Sequence, residues 1–467
     1  MWTISILDFW SSLQHHDGSF DEAYPYERSL AATSFTGFYL GQAFQKLQSS
    51  EPNLQINHLI KTFTKLGDWL CQNSEHHGIL SNHLSAAAAA LQTAYEITSI
   101  DRYKERSSDF INRILAHQSR EGWYEEYGGA DVGYQSHTIF YLAHIWKKTR
   151  DPELFDSLKK SIKYFAYFVH PDGSLGGEYA SRNTRFFLPA GFEILASEDE
   201  HAAAIAIFMR KSIAMDKSIN LSNMDAQNVL PMINNYIYIL DNFDSLTEHS
   251  KVELPFKKIF EKQFNDSGHA IFSTRKYYAI IALKKGGVLY ICSKGNTTHS
   301  DVDAGVALKL QNGKILTTQG LNCTKIALLD KGEILLETEL TEINQVTQSS
   351  FKFTLLRLLA LTSLLHASFA IFTKRVLVNV LVSRRKRYKV FSIRNLKFSS
   401  NSVQITDHVK INKGFRLSNV YYGGRFSTIH MGSARYFEWQ ELSNFNPTEI
   451  IECKKPYNTK RQKKWEF

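Results

Sequence analysis

Along roughly the first 245 residues, apolar side chains return every three or four positions in long segments. That is the pattern of helices that bury one stripe. Polar loops containing glycine separate the segments: QHHDGSF at 14–20, QNSEHHG at 72–78, QSREGW at 118–123 and HPDGS at 170–174. They recur at intervals of roughly 45–60 residues, about the length of a helical hairpin with its loops. A degenerate repeat of that kind predicts helix pairs stacked in an array or closed into a toroid. From about residue 268 the period changes. Short apolar runs rich in Ile, Val and Tyr are separated by turn signals such as Lys285-Gly286-Gly287 and Asn312-Gly313. These predict antiparallel strands. The expected class is therefore α+β: an (α/α) toroid over 1–250, then an antiparallel β-sandwich over 251–467.

The stretch 297–313 (TTHSDVDAGVALKLQNG) concentrates polar groups at the entrance of a strand. His299, Asp301 and Asp303 precede an alternation that places Val306, Leu308 and Leu310 on one face. A Gly-containing hairpin turn ends it. A histidine at such an entrance is held in place by the packed strand behind it; taken alone it reads as an ordinary loop residue. The segment at about 353–387 interrupts the strand pattern. Its uncharged core of about 16 residues falls short of the roughly 20 needed to span a bilayer, and a basic run, Arg384 to Arg387, follows it. It reads as a buried or interfacial segment, with peripheral membrane contact as the alternative.

Composition narrows the partners. The formal charge is +9, with 22 Tyr and 31 Phe. A basic, aromatic-rich chain favours acidic partners such as polyanionic glycans. No nucleic-acid recognition motif is present, so nucleic acid is not expected. Cys71, Cys292, Cys323 and Cys453 lack CxxC spacing, so neither a disulfide framework nor a zinc site is expected. Residues 1–13 read as an amphipathic helix rather than a secretory signal. A cytoplasmic location is expected, or a periplasmic one if the natural start lies further upstream. The oligomeric state is not legible.

A polar-aromatic cluster follows each glycine loop. Glu22 and Tyr24 follow the first, and Asn82 and His83 the second, leading into an Ala-rich helix. Glu125, Glu126, Tyr134 and Gln135 follow the third. Glu178, Tyr179, Arg182 and Asn183 follow the fourth. In a toroid, equivalent loops emerge at one end, so the clusters are expected to converge on one cleft. The alternative is caps and solvated loop residues, and Asn82 in particular is a fitting helix N-cap.

The ordered set resembles the heparinase II/III and alginate lyase type of polysaccharide lyase. The carriers are Asn82-His83 opening an Ala/Leu-rich helix, Gly122 to Gln135 with its acidic residues and Tyr134, the Asp-Gly loop at 172–173, and His299-Ser300-Asp301-Val302-Asp303 before a strand and a Gly turn. The resemblance implies a lyase that cleaves a uronate-containing bacterial polysaccharide by β-elimination. It casts Asn82, His83, Tyr134 and His299 as catalytic. Glu22, Tyr24, Glu126, Gln135, Glu178, Tyr179, Arg182 and Asn183 are the expected substrate contacts. Asp301 stands where the family has a second histidine, and Thr317-Thr318-Gln319-Gly320 where metal-containing relatives have an Asp. No cofactor is therefore expected, although Asp301 and Asp303 would suit a cation. Two other readings stay open: a glycoside hydrolase drawing its acid pair from Glu22, Glu125 and Glu126, or a non-catalytic glycan-binding or assembly protein of polysaccharide biosynthesis.

Overall fold

The structure is a computed structural model. It describes residues 2–342 and 387–467, apart from 23, 54–55, 76–77, 223, 225–228, 244–245, 296–297, 331, 412–415, 425–448 and 453–457, together with isolated residues between 350 and 369. The apolar and basic segment at about 353–387, and the membrane contact expected of it, lie almost wholly outside the described residues. Among the described residues no helix is long and apolar enough to cross a membrane.

The helical part runs α1 (Trp2–Ser12), α2 (Leu30–Ser50), α3 (Ile60–Gln72), α4 (Ser81–Thr98), α5 (Asp101–Ala116), α6 (Val132–Thr149), α7 (Pro152–Phe165), α8 (Ala190–Leu195), α9 (Glu200–Ala214) and α10 (Val229–Asp241). Two layers follow from the packing. α2, α4, α6 and α8 lie side by side, and α3, α5, α7 and α9 flank them in a second row. The sequence explains which is which. α4 and α6 are buried almost all round, the Ala run 86–90 letting neighbours approach closely. α5 and α7 bury one stripe and carry charge on the other side. α10 returns toward the start of the row, its Asp241 pairing with Lys46 of α2 at 2.5 Å.

Three of the four glycine loops close with the same hydrogen bonds. The N–H of His15 donates to the Ser19 carbonyl (3.0 Å), that of Ser119 to Trp123 (3.0 Å) and that of His170 to Ser174 (3.1 Å). Their glycines, Gly18, Gly122 and Gly173, all have positive φ (99°, 104° and 87°). A Cβ on Gly18 would stand 2.1 Å from the Lys65 carbonyl oxygen, and one on Gly122 2.3 Å from that of Lys160. Only glycine fits there. Each of the four loops precedes an inner-row helix, so the N-terminal ends of α2, α4 and α6 share one end of the array.

The strands form two antiparallel sheets. The first holds β1 (Phe260–Phe264), β2 (His269–Ser273), β3 (Tyr277–Ala282), β4 (Val288–Ser293) and β5 (Ser300–Asp303) in sequence order. The second runs β13 (Glu449–Glu452), β12 (Leu417–Tyr422), β6 (Val306–Leu310), β7 (Ile315–Thr317), β9 (Glu333–Glu342), β10 (Arg387–Phe398), β11 (Ser402–Ile411) and β14 (Asn458–Glu466). β8 (Thr324–Asp330) pairs with β9 outside that path. β2 and β3 are buried along their whole length because the first sheet is covered on both faces. Ile271, Tyr278, Ile280 and Tyr290 join the helical core. Ala270, Tyr277, Ile281 and Leu289 pack against Leu336, Leu396 and Ile405 of the second sheet.

One expectation changes here. The stretch around His299 is not a single strand entrance. It is two strands in two sheets, β5 and β6, and the chain crosses between them at Ala304-Gly305, where Gly305 has φ of 98°. The hairpin at Asn312-Gly313 forms as expected: β6 and β7 pair across it, and the Leu310 N–H donates to Lys314 at 2.8 Å.

Candidate active site

The start of α4 is covered by the loop that leads into α6. Ser81 donates its N–H (3.2 Å) and its hydroxyl (2.7 Å) to the Glu125 carbonyl. Asn82 donates both its amide nitrogen Nδ2 (2.5 Å) and its backbone N–H (3.2 Å) to the Glu126 carboxyl. Asn82 is thus not the N-cap of α4. It lies inside the first turn, and Glu126, 44 positions away, takes the helix-end donor that a cap would take. Glu126 is buried, and burial pushes its pKa well above the ordinary glutamate range, reinforced by the nearby Asp131. The Asn82 donors and Arg182 oppose the rise without cancelling it.

Asp131 caps α6, accepting from the Tyr134 N–H at 3.3 Å. It also accepts from the Arg182 N–H (2.8 Å), the Thr184 N–H (3.4 Å) and the Thr184 hydroxyl. One buried carboxylate therefore fixes the 182–184 loop against the helix that carries Tyr134. Gly133 permits the contact, since a Cβ there would stand 2.2 Å from the Thr184 hydroxyl. The Arg182 guanidinium lies 4.1 Å from the centre of the Tyr127 ring. Tyr127 is 6.5 Å from Tyr134, and Tyr134 meets Phe186 edge to face at 5.5 Å. Burial raises the Tyr127 phenol, Arg182 works against the rise, and Glu126, Glu75 and Glu22 add to it. All four charges thus act on one ring.

His83 completes the wall. Its Nδ1 is 2.9 Å from Glu75 Oε2, and its ring meets Phe35 of α2 edge to face at 5.8 Å. Phe35 also stacks on His137 at 5.3 Å. His137 is buried, and burial, aided by the His83 charge, pushes its pKa down to about 3. It stays neutral at physiological pH and hydrogen-bonds Tyr141, which in turn donates to Tyr39. These side chains come from α2, α4 and α6 and from the loops before them, where the sequence expects a cleft. The shared N-terminal ends of these helices favour an anionic guest.

The structure brings Asn82, His83, Glu126, Tyr134 and Arg182 together, with Glu22 exposed at the rim and its carboxylate accepting from Ser29 (2.8 Å). Tyr24 sits half-buried in the same loop, its phenol raised by burial and by Glu27 and Asp21. Four expected substrate contacts lie elsewhere. Gln135 points into the core, where its amide donates to Ser161 and ties α6 to α7. Glu178 is buried against Arg185 (2.7 Å). Tyr179 is buried, its hydroxyl 2.8 Å from His170 Nε2. Asn183 is buried with φ of 63° and accepts from Lys285 of the first sheet. The last two belong to the seam between the helices and the first sheet; their polarity satisfies buried neighbours.

His299 stands on the sheet side. Its side chain is exposed; its carbonyl accepts from the Ser293 N–H of β4 and its own N–H donates to the Ser293 hydroxyl, both at 2.8 Å. Asp301 accepts from Lys463 (2.7 Å) and Trp465 (2.9 Å). Asp303 accepts from Arg394 and Arg461 (2.7 Å each). The protein's own cations hold the two carboxylates that the sequence offered to a metal. Among the described residues, no group of three or more His, Cys, Asp or Glu is placed to hold a metal ion.

Glu75 and Tyr127 were not among the expected site residues. Glu75 lies within the second glycine loop and Tyr127 in the stretch that follows the third. Tyr127 carries a local signal, a positive φ of 53° just before Gly128-Gly129. Residues 3–188, which contain every residue of this cleft, match the family model described as the ulvan lyase N-terminal domain. The helical part of the chain is thus similar to a polysaccharide lyase domain. The fold agrees. Chondroitin AC lyase of Streptomyces coelicolor A3, solved in complex with chondroitin sulphate, aligns with a TM-score of 0.56 over 90% of this chain and 58% of its own, at 9% identity. Heparinase III aligns with a TM-score of 0.51 over 90% of this chain and 60% of its own, also at 9% identity. This chain thus spans less than two thirds of either lyase, and at that identity the likeness is one of fold. A comparison with curated proteins gives no match.

Proposed function

We propose that the protein is a polysaccharide lyase that cleaves an acidic, uronate-containing glycan by β-elimination. The helical array is read as an (α/α) toroid over 1–250 and the two sheets as a β-sandwich over 251–467. The observation that carries the proposal is the meeting of Asn82, His83, Tyr134 and Arg182 at the shared helix ends, inside the domain that matches a lyase family.

In the reaction the C5 proton leaves, the C4–O bond breaks, a C4–C5 double bond forms, and the departing oxygen takes up a proton. The carbanion-like state places charge on the uronate carboxyl. Arg182 and the amide of Asn82, oriented by Glu126, stabilise that charge. Tyr134 transfers the proton, and His83, held through Nδ1 by Glu75, is the second titratable group. That role passes to His83 from His299 because His83 shares the cleft with Tyr134, whereas His299 is exposed on the first sheet.

The hydrolase reading needs a free pair among Glu22, Glu125 and Glu126, and Glu126 has both oxygens bonded to Asn82 inside the protein. Mass spectrometry of the products from ulvan and chondroitin sulphate tests the proposal. Elimination products sum to the mass of the substrate, and hydrolysis products add one water. Products that carry the added water would overturn it.

A further inference from the structure

A concavity lies on the sheet side, at the seam with the helical half. Its volume is about 440 Å³, within the range of roughly 300–1,000 Å³ typical of small-molecule sites. Three cations surround it: Lys257 before β1, Arg275 between β2 and β3, and Lys294 after β4. Among the described residues none of the three has a carboxylate partner, and no carboxylate lines the concavity. The acid next to its wall, Asp172, is already engaged by Ser174 and Ser300. Lys294 is the most constrained. Its ammonium is half-buried and donates to the Ser273 hydroxyl (2.6 Å), the Thr274 carbonyl (2.8 Å) and the Lys258 carbonyl (3.4 Å). Those neutral acceptors fix its position and leave its charge uncompensated. Burial lowers its pKa to about 8. A desolvated cation without a counter-charge is costly, and an anion entering the concavity would offset that cost. Phe256, Pro171 and the exposed Ile259 supply apolar surface beside the cations.

We propose that this concavity is a second glycan-binding site, taking a sulphated or carboxylated sugar unit with its anionic group among Lys257, Arg275 and Lys294 and its ring on Phe256, Pro171 and Ile259. A small anion alone would not use the apolar surface, and a sugar ring, with a C–H face and an acidic substituent, uses both. The site is built from different residues than the Asn82–Tyr134 cleft, and its occupancy does not depend on the lyase reading of that cleft.

The test is lysine protection. The whole chain is treated with a limiting acylating reagent at low ionic strength, with and without a chondroitin sulphate hexasaccharide, and each lysine is quantified by mass spectrometry. The oligosaccharide is expected to slow modification of Lys257 and Lys294 at least fivefold. Arg275→Ala, an exposed substitution, should abolish that protection at unchanged thermal stability. Tyr134→Phe should leave it intact, which separates this proposal from the fate of the lyase reading. Unchanged reactivity of Lys257 and Lys294 with the hexasaccharide would overturn the site. Protection by poly-glutamate but not by the hexasaccharide would overturn its assignment to a sugar.

Discussion

Two buried clusters of charged residues divide the molecule's chemistry between them. In the sheets, Asp303 and Asp407 meet Arg394 and Arg461, all at most 4% exposed. Arg394 reaches both carboxylates at 2.7 Å, and Arg461 also bonds both. The charges cancel and the bonding capacity is used internally. In the helical cleft the buried carboxyl of Glu126 faces amide donors instead of a bidentate guanidinium, His83 leans on Glu75, and Arg182 rests on an aromatic ring. The first arrangement holds strands together. The second fixes polar groups at the shared ends of the inner helices. A cluster of charged residues in a sequence does not announce which of the two it will become; the partners decide it.

The contrast can be broken from its stronger side first. Arg394→Ala leaves two buried carboxylates short of a cation and is expected to cost about 3–5 kcal/mol of stability. Chemical denaturation measures it, and a loss below 1 kcal/mol would show that the network is not structural. Acid acts on the same residues more gently. Asp303 is buried, yet Arg394 and Arg461 hold its pKa at about 2, below the ordinary 3.8. Its contribution, roughly 2 kcal/mol, is present above pH 4 and lost as the pH falls through 2. Unfolding followed from pH 5 to pH 2 should show that loss in the parent, with a flatter profile in Asp303→Asn.

The cleft responds in activity. Glu75→Gln and His83→Ala are expected to be non-additive in kcat/KM, with a coupling of about 0.5–3 kcal/mol; additive effects would remove Glu75 from the role of positioning His83. The smallest effect concerns Glu126. Because burial raises its pKa, the carboxyl costs stability at pH values above the ordinary glutamate range and costs nothing below it. Glu126→Gln should therefore be no less stable than the parent at pH 8, with the parent gaining relative to it at pH 4. Marked destabilisation at pH 8 would mean that Glu126 is a paired carboxylate, like those of the sheets.

Much of the fold was legible because it rests on local rules. The glycine loops at 14–20, 118–123 and 170–174 announce the repeat, and the structure gives them the same bonds. The change of period near residue 268 announces the strands. Asn82, His83 and Tyr134 were legible as candidates through their motif. What could not be read were pairings across the chain. Asp303 looks like a site residue until Arg394 and Arg461, 91 and 158 positions away, take its oxygens. Glu178, Tyr179 and Asn183 look like cleft residues because a dense polar loop reads the same whether it faces solvent or a seam. Asn82 reads as a cap because its acceptor, Glu126, lies 44 positions away.

The most direct test of the central claim is ultraviolet absorbance during incubation with acidic polysaccharides, ulvan and chondroitin sulphate among them, for the parent and for Tyr134→Phe. The account predicts rising absorbance from a conjugated C4–C5 double bond in the parent. It predicts a fall of roughly 10²–10⁴-fold in the variant, the usual worth of a proton-transfer group. Cleavage that yields new reducing ends without that absorbance, or an undiminished rate in Tyr134→Phe, would contradict it.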